Sequence, residues 1–204
     1  MARPTIANAR ALIAPTTNKT KVIFTDGGVP EILSVIFMAG KLGPEFTEKF
    51  AEKLRGSEEY QTLKNVWDFV KNNVRYKRDE PGKERVKSPG KLIYDGSGDC
   101  KSFTLIIASM LTNLGIPWRY RVAFYDKNNS SQGHIYPVAM LGDKEVIVDA
   151  VHDTFDEEVK YWKAYDYAPS GNKLASLNGV NSSQVGSLSK LALAGIVIYG
   201  LMRI

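Results

Sequence analysis

The sequence predicts an α+β fold, on three observations that follow one another along the chain. From Asp99 onward, Phe103, Ile106, Ile107, Met110, Leu111 and Leu114 fall on one stripe at helical spacing. Trp118, Tyr120, Val122 and Phe124 then alternate with other residues, the period of a strand rich in aromatic and β-branched side chains. Two further runs, 134–141 and 144–150, are joined by Gly142-Asp143, a two-residue hairpin turn.

The rest of the chain is read in order. Residues 1–20 are polar, carry Pro4 and Pro15, and read as an N-terminal arm. Lys21 to Thr25 reads as a short strand ending at the turn Asp26-Gly27-Gly28. Helices are expected from Pro30 to Ala39, closed by Gly40, and from Pro44 to Leu54, broken by Gly56-Ser57. Between Glu58 and Val74, the residues Leu63, Val66, Trp67, Val70 and Val74 keep the spacing of one helical face. Pro81-Gly82 and Ser88-Pro89-Gly90 read as loops, and Asp95-Gly96-Ser97-Gly98 as a bend. Ser97 or Asp99 caps the strong helix, and Gly115 with Pro117 stops it. This places one domain at 21–168, a Ser/Asn/Gly-rich linker at 169–190 and an apolar tail at 191–204. The twelve residues Leu191 to Met202 are too short to span a membrane as a helix. They fit a segment that docks on its own domain or on a partner, with self-association or membrane contact as the other readings.

Composition narrows the classes of function. With 204 residues, 44% hydrophobic and 24% charged, the chain can bury a core without disulfides or structural metal. A single cysteine excludes an internal disulfide, and two histidines without a cysteine pair leave no ordinary zinc ligand set. The apolar stretch Ala11 to Ala14 is too short for a secretory signal, so cytoplasmic synthesis without export is expected. The net charge of +5 is unevenly placed: residues 71–91 hold eight basic against three acidic side chains. That stretch reads as a solvated loop, or as a rim that attracts an acidic substrate or partner. It lacks the interleaved aromatics of a nucleic-acid surface, so nucleic acid is not an expected partner.

Three residues carry the candidate chemistry. Cys100 lies in the first turn of the strong helix, where backbone N–H groups and the helix dipole stabilise a thiolate and can hold an oxyanion. A lone cysteine is otherwise most often a small buried hydrophobe. His134 opens the first hairpin strand and is a general acid–base for that thiol. With Gly142-Asp143 as the turn, Leu141 faces Lys144 and Tyr136 faces Asp149, so His134 and Asp149 are diagonal neighbours on one face. Asp149 can then orient the imidazole. A one-residue slip would separate them. Pro137 removes a ladder donor from this strand and calls for a free N–H position or a bulge there. His152 beside Asp153 reads as a surface histidine, and Asp156-Glu157-Glu158 as a solvated helix start.

The series Gly98-Asp99-Cys100-Lys101-Ser102-Phe103, then Leu114-Gly115-Ile116-Pro117, then His134 opening a strand and Asp149 ending the next, resembles the transglutaminase-like superfamily. The resemblance spans about Glu58 to Ala150, and bacterial and phage-encoded members carry a similar Gly-Asp-Cys-Lys start. It implies a papain-like α+β core, with the nucleophile helix packed on an antiparallel sheet. It also implies that Cys100, His134 and Asp149 attack an amide or isopeptide carbonyl, through a thioester on Cys100. Two positions depart from the pattern. Many members have Trp two residues after the histidine, where this chain has Tyr136. The side-chain oxyanion donor of the wider papain-like group precedes the cysteine, and the candidate here is Tyr94, for which a packing role is the alternative.

The expected function is therefore a cysteine peptidase or amidase acting on a protein or peptide, with hydrolysis favoured over transfer to a lysine amine. No metal or organic cofactor is implied. The alternative is a binding or assembly protein on the same fold, such as a phage structural component. The arm, linker and tail would suit that role, and a virion location would follow from it.

Overall fold

The helix that begins at Cys100 organises the molecule. In the computed structural model, which describes residues 4–13, 28–80, 83–129 and 133–178, residues Lys101 to Leu111 of this helix are all buried. A helix buried on every side must be surrounded by other elements, and the chain supplies them in order. They are α1 (Ile6–Leu12), α2 (Val29–Leu42), α3 (Pro44–Ala51) running into a 3₁₀ turn Glu52–Leu54, α4 (Glu59–Asn73), β1 (Arg75–Tyr76), α5 (Pro89–Asp95), β2 (Ser97–Gly98) and α6 (Cys100–Asn113). The strands β3 (Trp118–Phe124), β4 (Gly133–Leu141), β5 (Lys144–Ile147), β6 (Lys163–Tyr167) and β7 (Lys173–Asn178) follow. The strand expected at 21–25 and the apolar tail at 191–204 lie outside the described residues.

The last five strands form one antiparallel sheet in the order β5-β4-β3-β6-β7. Alternation sorts its residues. Tyr120, Val122, Ile135 and Ala139 join the apolar groups of the helical layer, whereas Ala123, Tyr136, Val138 and Ala164 pack together as a separate cluster. Leu141 pairs with Lys144, the register the hairpin turn dictates. Pro137 pairs with Tyr120 without a bulge. Its carbonyl accepts the Val148 N–H at 3.1 Å, one residue beyond the end of β5, so the donor that proline lacks falls where β5 has already left the ladder.

Several local readings are corrected by long-range contacts. Helix α2 continues through Gly40 to Leu42. A Cβ on Gly40 would lie 2.3 Å from the Tyr120 hydroxyl, so this glycine permits a close approach instead of ending the helix. The Tyr120 ring is held by Trp118 (centroids 4.7 Å apart) and Phe37 (5.2 Å) and has nowhere to retreat. Gly40→Ala is therefore expected to cost about 1–3 kcal/mol, measured as a lower urea midpoint with an unchanged denaturant slope.

The expected loop at Ser88-Pro89-Gly90 is the start of α5. The Ser88 hydroxyl accepts the Lys91 N–H at 3.3 Å, with Pro89 in the first turn, the positions where serine and proline favour a helix. Part of the expected N-terminal arm is α1, in which Thr5 forms a capping box with Asn8 and Ala9 is fully buried. Part of the expected linker is β7, paired with β6 from Lys163↔Asn178 to Tyr167↔Lys173. The charge run Asp156-Glu157-Glu158 is not a helix start. Asp156 adopts φ 59° and its carboxylate accepts the Ile147 N–H at 3.0 Å, folding this segment back over the end of β5.

Candidate active site

The start of α6 is held from two directions. β1 pairs in parallel with β2, Arg75 with Ser97 and Tyr76 with Gly98, so the segment after α4 fixes the two residues that precede the helix cap. Gly98 is required there, because a Cβ would lie 2.5 Å from Leu92 Cδ1. Asp99 is the cap, and its carboxylate accepts the Ser102 N–H at 3.3 Å. Cys100 is the first helical residue, partly buried against the group that contains Leu33, Ile36, Val122 and Ile135. One turn further on, the Thr104 hydroxyl donates to the Ile135 carbonyl at 2.7 Å. This bond ties the thiol-bearing helix to β4 at the residue next to His134.

The early end of β5 makes room for the acid. β5 stops at Ile147, opposite Val138, so the first residues of β4 have no β5 neighbour, and Asp149 turns in at that place. Its Oδ2 lies 2.6 Å from His134 Nε2, and its Oδ1 accepts the Val151 N–H at 3.0 Å. Its carbonyl accepts the Trp67 indole N–H at 2.8 Å and the His152 N–H at 3.2 Å. Asp149 is 6% exposed, and these four bonds fix both its carboxylate and its backbone.

With Nε2 turned to Asp149, Nδ1 remains for the thiol, to which His134 is also hydrogen-bonded. Burial by itself would pull the imidazole down. The hydrogen bonds to Asp149 and Cys100, together with their charges, outweigh it and raise His134 to about 10. The ring is then an imidazolium through the neutral range, with its positive charge between a carboxylate and a thiol.

Of the five candidates named from sequence, Cys100, His134 and Asp149 are brought together, and Tyr136 packs beside them. The Tyr136 ring lies 5.2 Å from that of His134, and its hydroxyl donates to Glu158 at 2.8 Å. Tyr94 is not brought there. It is 68% exposed on α5, with the Lys91 ammonium 5.5 Å from its ring, because the helix that begins at Pro89 turns this side chain outward. His152 is half-buried and meets the site only through its backbone.

Sequence reading missed four contributors. Thr104, four residues after Cys100, is the one that helical spacing could have suggested. Trp67 was seen only as part of an apolar stripe. Tyr125, just past β3, places its ring 6.4 Å from His134. Burial, with the charges of Asp149, Glu158 and Cys100, pushes its phenol well above the usual range. Glu158 was assigned to solvent but is buried against Arg121 at 2.7 Å.

An open cleft of about 470 Å³ leads to the thiol. Val29, Ile32, Leu33 and Ile36 of α2 form one wall, Val122 and Ile135 of the sheet form the floor beside Cys100 and His134, and Glu84 and Lys101 form the polar end. Near that end, Asp79, Glu84 and Asp99 bring carboxylate oxygens within 4.8 Å of one another, an arrangement able to hold a cation. The Lys101 ammonium lies among them.

Comparison with known proteins agrees with this architecture. No curated protein matches the chain. A protein from Legionella pneumophila, LapG in its calcium-bound form, aligns with TM-score 0.51 and 21% identity, over 74% of this chain and 91% of that one. A candidate protease from Parabacteroides distasonis aligns with TM-score 0.56 and 13% identity, over 74% of this chain and 31% of that one. A candidate cysteine protease from Cytophaga hutchinsonii is 26% identical with TM-score 0.44, over 65% of this chain and 45% of that one. The chain thus spans less than half the length of the Cytophaga and Parabacteroides proteins. The model of the transglutaminase-like superfamily matches residues 48–150, from α3 through the turn that holds Asp149. By that match, which covers half of its residues, the chain belongs to the transglutaminase-like superfamily.

Proposed function

We propose that this chain is a cysteine hydrolase that cleaves an amide bond in a protein or peptide, with Cys100 as nucleophile, His134 as acid–base and Asp149 as its orienting carboxylate. The observation that carries the reading is the chain of contacts from Asp149 Oδ2 through His134 to Cys100. The Cys100 thiolate, paired with the His134 imidazolium, attacks the carbonyl carbon, and the first-turn N–H groups of α6 receive the oxyanion. The C–N bond then breaks, the imidazolium proton passes to the departing amine, and a thioester remains. Water, deprotonated by the now neutral His134, adds to the thioester; the C–S bond breaks and the acid leaves. The aliphatic wall of α2 supports a substrate with an aliphatic side chain next to the bond that is cut.

The test is the rate at which a neutral alkylating reagent labels Cys100 between pH 5 and 9. The wild type is expected to react at pH 6 about 10²-fold faster than His134→Ala. Equal rates would remove the nucleophile–base pair from consideration. Peptide cleavage in ¹⁸O-water with a lysine amine present then separates the acceptors. Label in the product acid supports hydrolysis, whereas an isopeptide product would replace it with transfer. Substrates with Leu at the wall position are expected to exceed Ala by roughly 10-fold or more in kcat/KM.

A further inference from the structure

We infer that Lys101 is a positioning residue: its ammonium, held among Asp79, Glu84 and Asp99, locks Asp79 and residues 83–87 against the first turn of α6 and so sets the polar end of the cleft. The inference rests on reading that cleft as the substrate site.

Lys101 follows the candidate nucleophile directly, yet its side chain is only 9% exposed. Lysine is almost never buried unless paired. Here Nζ lies 2.6 Å from a Glu84 oxygen and 3.4 Å from an Asp79 oxygen, and it also contacts the Asp99 carboxylate. The three acids come from two places. Asp99 caps α6, while Asp79 and Glu84 belong to the segment after β1 that the sequence presents as a solvated basic loop. That segment has further ties. Asp79 accepts the Arg85 N–H at 2.7 Å, the Ser102 hydroxyl accepts the Lys87 N–H at 3.2 Å, and the Lys87 ammonium reaches the Ser97 carbonyl and the Asp95 carboxylate, both at 2.8 Å, fastening its end beside α6. Its apolar anchor to the core is Val86, which packs on the α2 group, so charge pairing carries most of the attachment.

Removing the ammonium would leave three carboxylates with oxygens within 4.8 Å facing one another. Like charges at that range repel and favour either protonation or separation. Separation here means that Asp79 and residues 83–86 leave the helix and Glu84 leaves the cleft. Burial alone would lower the Lys101 ammonium, but the carboxylates outweigh it and raise it above the usual lysine range. Lys101 is therefore a fixed cation and not a proton carrier. It occupies the position that a hard, oxygen-seeking metal ion would otherwise take among these acids.

Lys101→Met and the milder Glu84→Gln are compared with wild type by amide hydrogen exchange and by kinetics. Faster exchange at Arg85 and Lys87 is expected in both. KM is expected to rise about tenfold in Lys101→Met, while kcat and the pH profile of Cys100 alkylation stay within about twofold. Millimolar Ca²⁺ is expected to restore protection and KM in Lys101→Met and to change nothing in wild type. Unchanged exchange in both variants would overturn the inference, even if peptide cleavage proceeds. So would an alkylation profile that moves with KM, because Lys101 would then act on the thiol itself. Loss of wild-type activity or loop protection on chelation would assign the lock to a metal instead. If the chain cleaves no peptide, the exchange measurement still decides the point.

Discussion

Asp149→Asn is expected to slow cleavage on the order of 10³-fold while leaving the fold assembled. The amide keeps the shape and the bond from the Val151 N–H, and the backbone bonds from Trp67 and His152 do not involve the side chain. What disappears is the charge that holds His134 as an imidazolium. Stability against pH shows the same change. His134 is raised in the folded protein from an ordinary 6.5 to about 10. A raised value means that the stabilisation is fully present below pH 6.5 and is lost as pH rises through about 10. The wild type is therefore expected to lose on the order of 4 kcal/mol between pH 6.5 and 10.5, followed by urea unfolding at each pH. Asp149→Asn should show a much flatter profile over that range. A slope of equal size in the variant would mean that some other group carries it.

Arg121→Ala is expected to give the largest loss of stability, about 3–5 kcal/mol or roughly 10 °C in Tm. Arg121 is 1% exposed, and its guanidinium forms two bonds to Asp166 (2.8 and 2.9 Å), one to Glu158 (2.7 Å) and one to Glu145 (3.0 Å). Deleting it takes the cation from the buried Glu158 carboxylate and leaves Asp166 to the Arg119 guanidinium at 2.6 Å. Neutralising both acids in the same chain, as Arg121→Met with Asp166→Asn and Glu158→Gln, is expected to recover much of the loss, since a buried ion pair weighed against neutral replacements is close to break-even. The single variant also reaches the site. Glu158 holds the Tyr136 hydroxyl, and the Tyr136 ring packs on His134, so Cys100 alkylation is expected to slow alongside the fall in Tm.

The two positions also mark how far the sequence could be read. Asp149 was legible because a two-residue turn fixes register and register fixes face, and both are local. α6 was legible because a helix surrounded by protein carries apolar residues at every turn. Arg121 was not. It alternates with apolar residues in β3, which implies a polar face, yet the chain from Asp156 to Asp166 returns to cover that face with acids. Partners so far apart in the chain leave no periodic trace. The same reason applies to Glu158, assigned to solvent, and to Lys101, two of whose three acids look in sequence like minor members of a basic loop. Tyr94 failed differently, since distance along the chain to the cysteine says nothing about direction once Pro89 starts a helix. Gly40 failed because a glycine inside a helical pattern reads as a stop, and its true partner, Tyr120, lies eighty residues downstream.

Helix α2 has a further consequence. It supplies the aliphatic wall of the cleft, but it precedes the stretch at 48–150 that the superfamily model matches, whereas Cys100, His134 and Asp149 all fall within that stretch. One wall of the cleft that would choose a substrate thus lies outside the part of the chain that would react with it. Exchanging α2 for another helix of the same length should redirect which bonds are met and leave the manner of breaking them untouched. The molecule is in that sense a common engine behind a replaceable faceplate.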